Sequence, residues 1–482
     1  MTVTPFRIAV PDDVLSDLRA RLTRTRFTTA SDATSWAAGT DPAYLRDLVA
    51  YWADGFDWRA AETALNAFPH QVAEVAGSPL HFIHLRARRP EGAPAPLPLV
   101  LSHGWPSSFV EMLGVARRLA DPAAHGGDPA DAFDVVVPSL PGFLYSGLPQ
   151  GPFTRRGVAE TWHSLMTGTL GYDRYGAFGG DIGGGVTQWL GALYPEHVAG
   201  VHITSAVVSA DFEKEPPTPA EQTYLDALAA YDIGDQGYSE IMCTRPDTVA
   251  AALMDSPAGL LAWIVDKYRD WSDCDGDVAR RWDRDTLLTV ATLYWATGSI
   301  GSSFRQYYDY HLNKRVPRVT VPAAVTLSNE PAFKDYPKSL AERVFADLRH
   351  WNTPERGGHF MAHEEPDQVA AEVDAEVAQL VELVREASAS GKVSLAKFYS
   401  RRARRILPAL FMMMAITTLL ASAVMVPSTF RVFGASLVAA AHTCGITTQQ
   451  DVFCWGRNTT GQTGSGGIGD SYVCPVAVGR VQ

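Results

Sequence analysis

Apolar residues first recur with a helical period. Val14, Leu18 and Leu22 lie four apart behind Pro11, Asp12 and Asp13. This predicts an amphipathic helix whose start is fixed by a proline and by acidic residues at its positive end. From about residue 75 short apolar runs alternate with helical stretches such as "GVAETWHSLMTGTL". The runs "PLPLVLSHGWP", "FDVVVPSLPGF", "YGAFGGD", "GVHITSAVV" and "PAAVTLSNE" read as strands. Strands apolar on both faces and separated by helices predict an α/β fold with a mainly parallel sheet covered on both sides.

Residues 208–315 break the alternation. They are helical in pattern and crowded with aromatic residues, among them Tyr238, Trp263, Trp271 and Tyr307. Most of these are expected to form the core of a helical lid over the strand ends. After about Ser388 the pattern changes again. A basic cluster, Arg401, Arg402, Arg404 and Arg405, precedes an almost uncharged stretch at 406–427. That stretch is just long enough to span a bilayer, with its basic flank on the cytoplasmic side. A turn-rich, cysteine-bearing segment follows. The expected division is 1–95 N-terminal segment, 96–207 first half of the core, 208–315 lid, 316–388 second half of the core, 389–440 basic and apolar segment, and 441–482 terminal fragment.

Composition narrows the class. With 46% hydrophobic and 20% charged residues among 482, the chain is globular in character. Its net charge of −12 argues against nucleic-acid binding, which needs a basic surface. Only Cys243 and Cys274 lie in the first 440 residues, so the body has no disulfide framework and suits a reducing compartment. The N-terminus lacks the positive-then-apolar run of an export signal. The body is therefore expected in the cytoplasm, with membrane contact only through 406–427.

The chemistry centres on "FGGDIGGG", Phe178 to Gly185. Gly179-Gly180-Asp181-Ile182-Gly183 fits the glycine-flanked turn that presents a nucleophile between a strand and a helix. The helix start favours negative charge on Asp181. Taken alone, the pattern is better read as an ordinary glycine-rich turn with an N-cap aspartate. It matches neither a dinucleotide fingerprint nor a phosphate loop, and no cofactor is expected. Chain order adds weight, because hydrolases of this architecture place nucleophile, acid and histidine in that sequence. Glu330 follows a strand end in "VTLSNEP", and His359 sits in the tight loop "ERGGHF". Asp335 is an alternative acid. His359 and His363 have the spacing of a metal pair, but no third ligand motif accompanies them and no metal is expected. The loop "HGWPSS" and the nucleophile turn would supply the amides of Trp105 and Ile182 as an oxyanion hole.

An aspartate nucleophile has a chemical logic. Serine attacking an epoxide carbon would leave an ether that activated water cannot cleave. A carboxylate leaves an ester, which water hydrolyses, restoring the aspartate. Asp181 therefore implies attack on saturated carbon, and lid tyrosines can protonate the departing alkoxide.

Residues 1 to about 385 resemble the epoxide hydrolases of the microsomal type, which have an N-terminal segment wrapped on an α/β-hydrolase fold. The likeness rests on "FDWRAAETALNAFPH", "LHFIHLR", "LSHGWPSS", "GGDIGG", "LYWATGSIGSSFRQYY" and "RGGHFMAHEEP", in that order, together with the stretch from "GYSEI" to "RDWSD". It implies Asp181 as nucleophile, His359 as base, Glu330 as acid, and Tyr238 and Tyr307 as the ring-opening tyrosines. The substrates would be a small epoxide and water. Two departures stand out: Ile182 replaces the Trp that often follows the nucleophile, and Leu327-Ser328 replaces Phe-Pro before the acid. A haloalkane dehalogenase on the same fold is the alternative, as is an inactive composite. The tail resembles fragments of the acyltransferase-3 family and of a regulator-of-chromosome-condensation repeat. One span or one repeat builds neither fold, and no function is carried from them.

Overall fold

Residues 2–31, 36–93, 95–205, 210–374, 443–446, 451–457 and 472–480 are described by the computed structural model. The chain divides into two units, Met1–Ala389 and Ser390–Gln482.

Nine strands of the first unit form one sheet: β1 (Val3–Pro5), β2 (His70–Val75), β3 (Ser78–Leu85), β4 (Pro98–Ser102), β5 (Asp134–Pro138), β6 (Tyr175–Gly179), β7 (Val198–Ile203), β8 (Val319–Thr326) and β9 (Phe345–Asn352). Their order is β1-β2-β3-β5-β4-β6-β7-β8-β9. The run from β5 to β9 is parallel, whereas β1, β2 and β3 extend it antiparallel.

Helices connect and cover the strands. The N-terminal segment carries α1 (Asp12–Leu22), α2 (Pro42–Asp54) and α3 (Trp58–Leu65). The core crossovers are α4 (Phe109–Ala120), α5 (Arg155–His163) and α6 (Asp181–Leu193). Between β7 and β8, in the stretch expected to form a lid, lie α7 (Pro219–Asp235), α8 (Gly237–Thr244), α9 (Pro246–Asp255), α10 (Pro257–Trp271), α11 (Arg284–Thr297), α12 (Ile300–Ser303) and α13 (Arg305–Tyr308). After β8 come α14 (Lys338–Val344), α15 (Met361–Glu364) and α16 (Pro366–Val373). This is the α/β-hydrolase architecture. The residues of β4, β5, β6 and β7 are buried throughout, as two-sided apolar strands require.

Register places the site. Ser102 pairs with Gly179, Gly179 with Ile203, Ile203 with Val325, and Val325 with Trp351. The carboxyl ends of five parallel strands therefore stop on one row. Loops leaving that row converge at one level, where ligand sites of parallel sheets form.

The hairpin β2–β3 and the edge strands β1 and β9 are not anticipated by apolar periodicity. In β2 and β3 the reason is that buried positions are taken by histidines. His81 Nδ1 lies 2.8 Å from Ser139 Oγ, His70 Nδ1 lies 2.9 Å from His81 Nε2, and His70 Nε2 lies 2.8 Å from the Leu65 carbonyl. The carbonyl fixes the proton on His70 Nε2, so His81 donates through Nε2 and accepts the Ser139 hydroxyl at Nδ1. Each ring is satisfied as a neutral imidazole and behaves as a core residue. In β9, charged residues such as Asp347 and Arg349 pair with each other on the sheet edge and mask the strand signal.

The second unit contains an antiparallel sheet of β10 (Thr443–Ile446), β11 (Asp451–Arg457) and β12 (Tyr472–Arg480), in that order. The stretch 406–427 lies outside the described residues. Among the described residues no single helix is long and apolar enough to cross a membrane.

Burial lowers the pKa of His84, His103 and His363 to about 4 each. Below pH 6.5 the unfolded chain takes up protons that these folded imidazoles refuse, so stability falls as pH drops from 6.5 towards 4. Glu111, which burial pushes up to about 7, opposes this, as do Glu364, Asp266 and Asp232, whose carboxyls burial also raises. The thermal midpoint is expected to decline across that window, with a shallower slope in His84→Gln. An unchanged slope in the variant would show that His84 ionises freely in the folded chain.

Candidate active site

Asp181 opens α6 directly after β6 with a left-handed φ of 50°. Such a conformation is costly for a residue with a side chain, and surrounding contacts hold it there. The Asp181 N–H donates to Ser205 Oγ, 2.6 Å away, beyond the end of β7. Close backbone approach does the rest. A Cβ on Gly183 would collide with the Ser102 carbonyl, and one on Gly104 with the Asp181 carboxylate. The glycines packed around Asp181 are thus required by space.

The loop after β4 meets this turn. The Trp105 N–H donates to Asp181 Oδ1 at 2.9 Å. Ile182 is the second residue of α6, so its N–H has no acceptor one turn back in the helix. The Trp105 side chain faces the lid, and its indole N–H donates to Ser303 Oγ at 3.2 Å.

On the other side of Asp181 stands His359. Its Nε2 is 3.8 Å from Asp181 Oδ2, and its Nδ1 is 2.9 Å from Glu330 Oε2. Glu330 is buried and its Oε1 accepts the Ser328 hydroxyl at 2.7 Å. Asp335 has no part in this contact. Burial alone would lower the His359 pKa. The Glu330 charge and hydrogen bond, then the charges of Asp181 and Glu111, outweigh it and raise the pKa to about 10. At neutral pH the imidazole is a cation between two carboxylates.

Tyr238, in α8, stacks on Trp105 with ring centres 5.5 Å apart and planes within 5°. Tyr307, in α13, meets Trp105 edge-on at 5.5 Å and Tyr238 at 5.9 Å. Burial and the Asp181 charge raise the Tyr238 pKa. Burial, Tyr238 and Asp181 do the same for Tyr307. Both phenols keep their protons at working pH. The neighbouring Tyr308 is 47% exposed and lies outside this cluster.

The structure thus gathers Asp181, His359, Glu330, Tyr238, Tyr307 and the Trp105 amide in one place. His363 instead stacks on Trp282 at 4.0 Å. Among the described residues no group of three His, Cys, Asp or Glu is placed to hold a metal ion. Sequence reasoning did not single out Ser205, Ser328 or Trp271 for the site. The two serines lie just past strand ends, which is a usable signal. Trp271 is set by tertiary packing: its ring lies 4.9 Å from His359 and 5.2 Å from Tyr238.

An aspartate presented on a strained strand–helix turn, beside a histidine paired with a buried glutamate, is an arrangement that fits an α/β-hydrolase-fold enzyme. Comparison with known proteins specifies the family. The family model "Epoxide hydrolase N terminus" matches residues 3–112, and "alpha/beta hydrolase fold" matches 98–233. A Stigmatella aurantiaca protein, itself an inferred epoxide hydrolase, is 40% identical over 77% of this chain and 84% of its own length. Epoxide hydrolase 1 of Oryctolagus cuniculus is 30% identical over 77% and 88%. The crystal structure of juvenile hormone epoxide hydrolase from the silkworm Bombyx mori aligns with a TM-score of 0.71 at 28% identity, covering 79% of this chain and 95% of that one. The chain belongs to the epoxide hydrolase family. A third model, the regulator of chromosome condensation repeat, matches only residues 440–462. The stretch likened to acyltransferase-3 lies outside the described residues.

The crowding around Gly183 yields a test. Gly183→Ala is expected to destabilise the fold by about 1–3 kcal/mol, as overpacking does, and to abolish activity by displacing Asp181. Denaturant unfolding beside an activity assay measures both. A variant with native stability and rate would mean that the turn can relax.

Proposed function

We propose that this epoxide hydrolase acts through an ester on Asp181. The observation that carries the reading is the placement of one carboxylate between an amide donor and a histidine, under two neutral phenols. Oδ1 is held by the Trp105 N–H, which leaves Oδ2 to attack the epoxide carbon. As the carbon–oxygen bond breaks, the leaving oxygen takes a proton from Tyr238 or Tyr307. The ester that forms removes the Asp181 charge.

That loss sets up the second step. One of the carboxylates that hold His359 protonated is gone, so its pKa falls; the imidazolium gives up its proton, which makes good the one the tyrosine lost, and the neutral imidazole can then take a proton from water. Hydroxide adds to the ester carbonyl, and charge on Oδ1 is met by the amides of Trp105 and Ile182. Collapse releases the diol and restores Asp181. Glu330 orients His359 and stabilises its charged form, as the acid of a triad does. Nothing in this scheme calls on a cofactor, on a metal or on residues 389–482.

Dehalogenation fits less well. A halide needs N–H donors beside the nucleophile, but the Trp105 indole is engaged with Ser303 and Ile182 offers no ring donor.

On styrene oxide, Asp181→Asn is expected to lower diol formation roughly a thousandfold or more. His359→Gln should instead accumulate the ester, visible as an added mass on the intact chain. In heavy-oxygen water, a single turnover should place label in the Asp181 carboxylate; label in the first diol would sink the ester scheme. The pKa argument has its own check. The His359 imidazole, followed by NMR, is expected to titrate at lower pH in Asp181→Asn than in the parent, because a neighbouring negative charge is gone.

A further inference from the structure

The loop that carries His359 is held by a carboxylate that the reaction steps do not use. Glu364, in α15, has a fully enclosed side chain. Its Oε1 accepts from the Phe360 N–H at 3.1 Å. Its Oε2 accepts from the N–H groups of Gly358, at 3.1 Å, and Asp273, at 2.8 Å. Asp273 belongs to the lid, two residues beyond Trp271. The Trp271 carbonyl accepts the N–H of His359 itself at 2.8 Å. The Asp273 carboxylate accepts the Gly357 N–H at 3.0 Å and pairs with Arg281 at 2.8 Å. Four successive amides, from Gly357 to Phe360, therefore all donate to Glu364 or to lid residues 271–273. The two backbones touch: a Cβ on Gly358 would collide with the Trp271 carbonyl and the Asp273 nitrogen.

We propose that Glu364, with Asp273, is a positioning residue that aims His359 at the ester and couples the base to the lid. This rests on the roles given above to Asp181 and His359. Three N–H donors converge on two oxygens, which suits a carboxylate; an amide would turn its own NH2 group against one of them. Asp181 is positioned by other contacts, from the Ser205 hydroxyl and the Trp105 amide, none of which involves Glu364. Disturbing Glu364 therefore slows ester hydrolysis and spares ester formation.

The test compares Glu364→Gln with the parent and with His359→Gln, all as the full chain, on styrene oxide. Steady-state rates are combined with rapid quenching and intact mass. For Glu364→Gln, kcat and KM are expected to fall together by about tenfold or more, because small misplacements of a reacting group cost that much. The ratio kcat/KM should stay within about twofold, and the ester should build up during turnover. A merely structural role would reduce kcat and kcat/KM in equal proportion with no ester, and that result overturns the proposal. Unchanged kinetics overturn it too. If His359→Gln accumulates no ester, the roles assigned to Asp181 and His359 fail and this inference falls with them. Should Glu364→Gln not fold, Asp273→Ala, at a partly exposed site, carries the test. It removes the acceptor of the Gly357 N–H and is expected to show the same split at about threefold. Absence of the split there is equally decisive.

Discussion

The level row of strand ends, Ser102, Gly179, Ile203, Val325 and Trp351, is the constraint on which the site depends. No single loop is long enough to bring a nucleophile, an acid, a base and an amide donor together. Parallel pairing in register does it, because each strand releases its loop at the same height. The turn at Asp181 then needs the hydrogen bond to Ser205 and the space left by glycines to hold Asp181 in a left-handed conformation. The acid loop joins the same scaffold, with the Ser328 N–H bonded to the Thr204 carbonyl and the Asn329 N–H to that of Gly357.

Electrostatics divides the labour among groups that would otherwise interfere. His359 lies between two carboxylates and is kept charged, while Tyr238 and Tyr307 are kept neutral by burial and by the same Asp181 charge. One carboxylate thus favours the charged imidazole and the neutral phenols at once. In the proposed scheme, esterification of Asp181 releases its hold on the imidazole, so that charge favours the second step only after the first. Trp271 bears on both sides of this arrangement, touching Tyr238 and His359.

Much of this was legible from residue patterns. The central parallel strands are apolar on both faces and announce themselves. The nucleophile turn, and the order of Asp181, Glu330 and His359, are also visible in the chain. What was hidden is polar and paired. His70 and His81 occupy strand positions that pattern reasoning assigns to apolar residues, and their hydrogen bonds to each other, to the Leu65 carbonyl and to the Ser139 hydroxyl make them core. The anchoring of the base loop was hidden too, since Asp273 and Glu364 are far apart in sequence and reveal nothing until their amide partners are known. Glu330 was legible by position, whereas the choice between it and Asp335 needed the contact at His359 Nδ1.

At Ser328 the acid loop is held differently from the Phe-Pro pattern that the resemblance leads one to expect. A proline before the acid stiffens the loop through its ring, acting on the backbone. Here the backbone has no such ring, and a hydroxyl grips Glu330 Oε1 instead. The rigidity has moved from a main-chain torsion to a side-chain hydrogen bond. The two devices are interchangeable in geometry but not in inheritance. A proline constrains whichever acid follows it, whereas a hydroxyl fits only an acid of matching reach. Glutamate and serine at these positions therefore form a unit, and a lineage that exchanged one for a shorter acid would have to exchange the other.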